Sequence, residues 1–149
     1  MGHGFSLSEL VIVVAIIGIM AAIAAPRFEN VAVEAKEAAV ADDLRALRSI
    51  IQRYAALHDS IPPGYKNDNP ERQPRTVDFL EQLTIEHHFM REMPGNPFNH
   101  RKTVLTIDDG EAFPSAATGD YGWVYQPSIV TIRVDWPGTD EDGVPYFEY

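Results

Sequence analysis

A single carboxylate, Glu9, stands at the start of a long apolar segment. The residues from Leu10 to Ala25 are only Ala, Val, Ile, Leu, Met and Gly. A charged carboxylate at the centre of a membrane helix costs about 2.5 to 3.5 kcal/mol on insertion scales, so such a residue is interpreted as functional by default. Its least costly partner is a positive charge at the same depth. A cut after Gly4 would supply one, because the new α-amino group of Phe5 would lie about one helical turn from Glu9.

The junction of Gly4 and Phe5 has the character of a processing site. Gly4 has no Cβ, so an extended backbone fits closely into a peptidase cleft at this position. The chain would then be the substrate of an enzyme. Two structural alternatives stay open: residues 1–4 are a flexible tail, and Glu9 extends its carboxylate to the nearby membrane interface.

The block from Gly4 to Phe28 resembles the N-terminus of type IV pilins and type II secretion pseudopilins. It has a small residue before an aromatic one, a Glu five residues into the mature chain, and Pro26 at the end of the apolar run. The resemblance implies that a membrane-embedded prepilin peptidase cleaves between Gly4 and Phe5 and that Phe5 is then N-methylated. It also implies that Glu9 is needed for a subunit to enter the filament.

Two other interpretations compete for the same segment. A secretory signal peptide would be cut at a small-x-small site such as Ala22-Ile23-Ala24, but its basic n-region is missing here. The segment is also long enough for a plain membrane anchor, since residues 5–25 span roughly 31 Å as a helix and the hydrocarbon core of a bilayer is about 30 Å thick. Neither explains Gly4-Phe5 or Glu9. Because residues 1–4 contain no Lys or Arg, the cytoplasmic placement of this end follows from the resemblance rather than from charge.

Composition restricts the remaining functions. The chain has 149 residues, enough for one membrane span and one globular domain, and no cysteine, which excludes disulfides and thiol chemistry. The net charge is −10. From Asp108 to the end there are nine Asp or Glu residues against the single Arg133. Such a surface repels nucleic acid, so we expect no nucleic-acid partner.

The elements that position the N-terminal segment are predicted in four parts. They are a leader over 1–4, a transmembrane and filament-core helix over 5–25, an amphipathic second half of the helix over 26–58, and a globular region over 59–149. The second half carries an apolar stripe with helical spacing, formed by Val40, Leu44, Leu47, Ile51 and Tyr54. Pro26 is expected to kink the helix. Gly18 and Pro26 bracket a weakly helical stretch; the resemblance implies that it provides flexibility in the filament, and helix packing is the other interpretation.

The globular region is predicted to be α+β, with the long kinked helix packed on a small antiparallel sheet. Thr76 is expected to cap a short helix through Thr84. Strands are predicted over Thr103–Ile107, Tyr121–Tyr125 and Ile129–Trp136, the last two forming a hairpin. On the third strand, Val130, Ile132, Val134 and Trp136 should face the helix, and Ile129, Thr131, Arg133 and Asp135 the other side.

The acidic C-terminal loop has two interpretations, a structural calcium site or a solvated turn. Calcium takes six to eight oxygen ligands, which Asp-rich turns supply. The candidate ligands are Asp120, Asp135, Asp140 and Asp142. The resemblance supports the first interpretation, since major type II pseudopilins hold calcium in this region; apart from that possible calcium, no cofactor is expected. His87-His88 is interpreted as a surface pair, because adjacent helical residues point about 100° apart.

Together these patterns predict a structural filament subunit rather than an enzyme. The resemblance implies a subunit that polymerises with itself and with other pseudopilins on an ATPase-driven platform in the bacterial inner membrane. Its N-terminus would be cytoplasmic and its globular region periplasmic. The segment Gly95-Asn96-Pro97 resembles that of the major type II pseudopilin, and Gly122–Pro127 is similar to pseudopilins. The alternatives are a minor pilin that binds a ligand and a simple anchored or exported binding domain.

Overall fold

A computed structural model describes residues 6–86 and 89–149, without the side-chain surroundings of 22–30 and 86. The chain divides into two compact units, Met1–Lys36 and Glu37–Tyr149. We refer to them as the N-terminal unit and the C-terminal unit. The elements are α1 (Leu7–Leu57), α2 (Thr76–Glu81), β1 (Val104–Thr106), β2 (Trp123–Gln126) and β3 (Thr131–Val134).

The predicted apolar stripe on the second half of α1 is confirmed as the helical side of the core. Val40, Leu44, Leu47, Ile51 and Tyr54 are each at most 1% exposed. They pack in one cluster with side chains of α2, β2 and β3. The helix ends at Leu57, next to the predicted end at 58. The expected kink at Pro26 stays a prediction, since the side chain of this residue lies outside the described part.

The sheet is mixed, and the predicted all-antiparallel sheet is therefore wrong. Its order is β1-β2-β3; β2 and β3 are antiparallel, whereas β1 and β2 are parallel. Parallel neighbours need a crossover of a dozen or more residues. The connection over 107–122 is long enough, and near its start the Glu111 amide donates to the Asp108 carbonyl.

The β2–β3 hairpin is present, but its faces differ in part from the prediction. A single 3₁₀ turn, Pro127–Ile129, joins the strands, and Val130 follows it at φ 49°. Ile132 and Val134 are buried as expected, whereas Val130 is 46% exposed. Asp135, predicted on the outer face, is fully buried. The predicted alternation of inward and outward side chains fails at both ends of β3, because Val130 belongs to the turn and Asp135 follows the last residue of the strand.

The short helix forms where it was expected, with a different start. Arg75 is the N-cap residue of α2, so Thr76 lies inside the helix. The Thr76 hydroxyl instead bonds to the Val104 carbonyl at 3.3 Å and the Thr106 hydroxyl at 2.9 Å, both on β1. Phe79 and Leu83 are buried, and a π-helical turn continues the chain over Gln82–Glu86. The threonine therefore joins α2 to the sheet.

The Gly95-Asn96-Pro97 turn is anchored to the start of β2. Asn96 is fully buried; its side-chain amide donates to the Gly122 carbonyl at 3.2 Å, and its Oδ1 accepts the Phe98 amide at 2.9 Å. Trp123 donates its indole N–H to the Pro94 carbonyl at 2.9 Å. The segment that resembles major pseudopilins thus fixes the entry to the sheet.

Replacing Gly122 by Ala is expected to destabilise the protein strongly. A Cβ at this position would lie 2.2 Å from the Arg101 carbonyl oxygen, which is backbone and cannot move without breaking the turn. Overpacking of this kind costs typically about 1 to 3 kcal/mol. Thermal unfolding of Gly122→Ala measures the loss. The matched control is Gly95→Ala, whose Cβ meets nothing nearer than 3.6 Å; equal melting temperatures for the two variants would contradict the assignment.

The C-terminal segment is held against the C-terminal part of α1. The Tyr146 hydroxyl donates to the Glu37 carboxylate at 2.7 Å, and the Tyr149 hydroxyl donates to Asp140 at 2.6 Å. Arg48 donates to the Tyr149 carbonyl. Burial, together with the Glu37 carboxylate, raises the pKa of Tyr146 to about 12. The acidic loop over 138–143 is therefore attached at a fixed place on the C-terminal unit.

Candidate functional site

Glu9 and Ser6 form a capping box at the start of α1. The Ser6 amide donates to the Glu9 carboxylate at 2.8 Å, and the Glu9 amide donates to the Ser6 hydroxyl at 3.2 Å. Reciprocal bonds of this kind satisfy two backbone donors that a helix leaves unpaired at its N-terminus. The structure therefore gives Glu9 a local partner that the sequence reasoning did not consider. The signal was present, since Ser6-Leu7-Ser8-Glu9 has the S-x-x-E spacing of a capping box.

The Glu9 carboxylate can accept hydrogen bonds beyond the one in the capping box. In the described residues only Oε2 accepts a hydrogen bond, from the Ser6 amide. An ionised carboxylate offers about four acceptor positions. Glu9 can therefore cap its own helix and accept a further donor at the same time. The cap and the proposed pairing with an amine are compatible roles.

The N-terminal stretch of α1 presents apolar side chains with no cover. Every residue from 6 to 21 is exposed, including Leu7 at 82% and Met20 at 67%. Apolar surface of this extent marks a membrane or protein contact. Gly18 lies within it, and a Cβ built there would meet nothing within 4 Å. These side chains are therefore accessible to lipid or to a protein partner.

Several predicted residues lie outside the described part. These are the processing pair Gly4 and Phe5, the side chain of Pro26, and the histidine pair His87-His88. Phe5 and 22–25 also belong to the predicted transmembrane helix. Within the described residues, no helix combines the length and apolar content that a membrane crossing requires. The processing site, the span and the role of Gly18 with Pro26 stay predictions.

In the described part of the chain, no three of the four candidate calcium ligands are grouped so that they could hold one ion. Asp135 accepts the Thr118 amide at 2.6 Å and hydroxyl at 2.7 Å, and also the Tyr121 amide at 2.9 Å. Burial by itself would raise the pKa of Asp135, but its hydrogen bonds together lower it. Asp120 bonds through its backbone to the Thr118 hydroxyl. Asp135 therefore serves to fix the loop before β2.

Asp140 organises the acidic loop from within. Its Oδ1 accepts the amides of Asp142 at 3.0 Å and Val144 at 2.8 Å, and its Oδ2 accepts the Tyr149 hydroxyl. The bond from Tyr149, with those amides, holds the pKa of Asp140 below its usual range. Among the described residues, no group of three or more acidic or histidine side chains is arranged to hold a metal ion. The calcium site stays a prediction.

Asp135→Asn is expected to destabilise the protein by about 1.5 to 3 kcal/mol, the typical value of a hydrogen bond to a charged group. Both Asp135 oxygens accept N–H or O–H donors. The side-chain NH₂ group of an Asn, which is a donor, would face at least one of the N–H or O–H groups that now donate to Asp135. Denaturant unfolding measures the loss, and Asp142→Asn is the control, because Asp142 is exposed and uses only its backbone amide in the loop. Equal stability of both variants would contradict this role.

The calcium hypothesis is checked by melting the full chain in detergent with excess calcium and with a chelator. If a site exists, calcium raises the melting temperature by mass action, and Asp142→Asn reduces the rise. An unchanged melting temperature would remove the hypothesis. Since both carboxylate oxygens of Asp135 and of Asp140 already accept hydrogen bonds, calcium would have to share these oxygens with their donors or displace the donors.

Comparison with known proteins identifies one segment. Residues 2–25 match the family model described as the prokaryotic N-terminal methylation motif. The match contains Gly4, Phe5 and Glu9, and it supports a processed subunit of the type IV pilin and pseudopilin class with a membrane-anchored N-terminus in a bacterium. No curated protein and no solved structure matches the chain significantly. The α+β architecture with its small mixed sheet is consistent with a pilin fold.

Proposed function

We propose that the chain is a structural filament subunit that is cleaved after Gly4, N-methylated at Phe5 and polymerised through the first half of α1. The observation that carries the proposal is the methylation motif over 2–25, on a helix whose side chains from 6 to 21 are all exposed. An exposed apolar helix of this kind is stable in a lipid bilayer or in the core of a filament. During assembly the helix would move from the bilayer into the filament.

Glu9 makes the filament more favourable than the bilayer for this helix. An unpaired charged side chain costs about 2.5 to 3.5 kcal/mol at the centre of a membrane helix, which is the upper value for Glu9 near its end. Beside the amine of Phe5 in its own chain or in a neighbouring subunit, the charge is neutralised by a partner at the same depth. The capping box with Ser6 keeps the carboxylate at the N-terminal end of α1, where this amine would lie. Docking of the pair would then set the register between subunits.

The finer proposal is a subunit of the type II secretion pseudopilus. It is supported by the resemblance of Gly95-Asn96-Pro97 to the major pseudopilin, by the absence of cysteine and by the acidic C-terminal loop. Its partners would be further copies of itself, other pseudopilins, the prepilin peptidase and the inner-membrane assembly platform. The role is structural rather than catalytic, and the C-terminal unit would lie on the periplasmic side.

Mass spectrometry of the mature N-terminal peptide from the native host tests the proposal. We expect the chain to begin at an N-methylated Phe5. A chain that begins at Ala25 would mean ordinary signal-peptide cleavage and an exported soluble domain. An uncut Met1 would leave only an anchored domain. Either result would reject the filament proposal. A start at Ala25 removes Phe5 from the mature chain, and an uncut chain leaves the Phe5 nitrogen in the peptide bond with Gly4.

A minor pilin with a ligand-binding C-terminal unit is the second candidate. The observation that favours it is the cleft of about 260 Å³ in the C-terminal unit. Quantitative immunoblotting of sheared filaments separates the two subunit classes. A major subunit accounts for most of the filament mass, whereas a minor subunit is present in few copies for each filament.

A further inference from the structure

A small cleft opens on the C-terminal unit between the loop over 115–117, the turn after β3 and the C-terminal segment. Its volume is about 260 Å³. The walls are mostly apolar, formed by Ala116, Ala117, Trp136, Pro137, Pro145 and Phe147. Ligand pockets for drug-sized molecules measure about 300 to 1,000 Å³. The cleft is therefore suited to one long side chain rather than to a whole cofactor.

The one charged residue that lines the cleft is acidic, although the Arg133 guanidinium contacts one of the wall rings, Phe147. This acidic residue is Glu148, and it is exposed at the edge. In the part of the chain that the structure describes, its carboxylate makes no hydrogen bond and no ion pair with another side chain. From Asp108 onward the chain carries nine acidic residues and one Arg. An occupant that combines a positive charge with an apolar stem would match both the walls and the edge.

The same surface already binds one guanidinium group. The Arg133 Cζ lies 5.2 Å from the ring centre of Phe113 and 5.5 Å from that of Phe147. A cation within about 6 Å of a ring centre is attracted by the ring quadrupole. Phe147 also lines the cleft, as does Trp136, whose ring stacks on that of Phe98 at 5.5 Å between ring centres, and Trp rings bind cations best. Because Phe147 is 4% exposed and already contacts Arg133, the aromatic ring of the cleft that a partner's guanidinium would use is Trp136.

We propose that the cleft binds an arginine side chain presented by a partner protein, with the stem between Trp136 and the prolines and the guanidinium on Glu148. Arg is preferred to Lys because its planar group stacks on aromatic rings and also pairs with a carboxylate through two N–H donors. This binding function lies beyond polymerisation and uses no residue of α1. It holds whether or not the chain forms filaments.

The test is an NMR titration of the full chain in detergent micelles with the peptide acetyl-Gly-Arg-Gly-amide. The indole N–H of Trp136 reports on the cleft, and that of Trp123, which is fully buried and bonded to Pro94, is the internal reference. We expect saturable shifts of the Trp136 signal in the millimolar range and none for Trp123. A matched peptide with citrulline, which is neutral and of the same size, should bind at least about fivefold more weakly, because it loses the ion pair with Glu148.

Variants separate the site from general attraction to an acidic protein. Glu148→Gln should weaken binding about fivefold, the upper value for an exposed ion pair. Glu141→Gln removes the same charge from an exposed residue outside the cleft and should leave binding unchanged. Equal binding of the citrulline peptide, or equal weakening by both variants, would overturn the proposal. Trp136 shifts that depend on protein concentration without peptide would also overturn it, since a second copy would then cover the cleft.

Discussion

Replacing Glu9 by Ala is expected to leave cleavage at Gly4 intact and to abolish filament assembly. The acid lies inside the matched motif, on a helix whose neighbouring apolar residues are exposed. At the bilayer centre an unpaired carboxylate costs about 3 kcal/mol, so the preference of Glu9, which lies near the end of the helix, for a paired state is at most roughly 100-fold. The alanine variant loses this preference and should accumulate as mature subunit in the membrane.

Two control variants separate charge pairing from helix capping. Ser6→Ala removes the hydroxyl that accepts the Glu9 amide but keeps the carboxylate, and it should cost about 0.5 to 2 kcal/mol of helix stability. We expect this variant to assemble. Glu34→Ala removes an exposed acid from the same helix and should assemble as well.

The measurement is the ratio of sheared filament to membrane-bound subunit, with the N-terminal mass as the check on processing. Efficient filaments from Glu9→Ala would reject the pairing role. Failure of Ser6→Ala to the same extent as Glu9→Ala would mean that the cap, rather than the charge, is the function of Glu9.

Replacing Gly4 by Ile is expected to leave the precursor uncut. A β-branched side chain before the scissile bond would occupy the space that an extended glycine backbone leaves to the peptidase. Without cleavage the Phe5 amine does not form, so methylation and assembly should be lost together. Gly2→Ile is the control, because it lies in the leader but away from the bond and should mature normally.

Intact mass distinguishes the outcomes for this position, since the precursor keeps residues 1–4. Normal maturation of Gly4→Ile would contradict the assignment of the processing site. An uncut Gly4→Ile together with an uncut Gly2→Ile would indicate that the leader as a whole, rather than Gly4, is recognised.

The sequence alone predicted the features that depend on local pattern. The spacing of Val40, Leu44 and Leu47 places them on one helical face, and all three are buried. The motif from Gly4 to Glu9 was identified from residue types, and the family comparison independently found a methylation motif over the same segment. Both kinds of signal extend over a few helical turns, so they do not depend on how distant parts of the chain meet.

Tertiary structure decided what depends on distant contacts. Strand alternation is the same in parallel and antiparallel pairs, so only the path of 107–122 fixes β1 parallel to β2. Asp135 has the sequence character of a surface acid, yet it is fully buried because Thr118 and Tyr121, 17 and 14 residues away, bring donors to it. A buried carboxylate is stable only where such donors surround it, and their positions are set by the folding of the whole C-terminal unit.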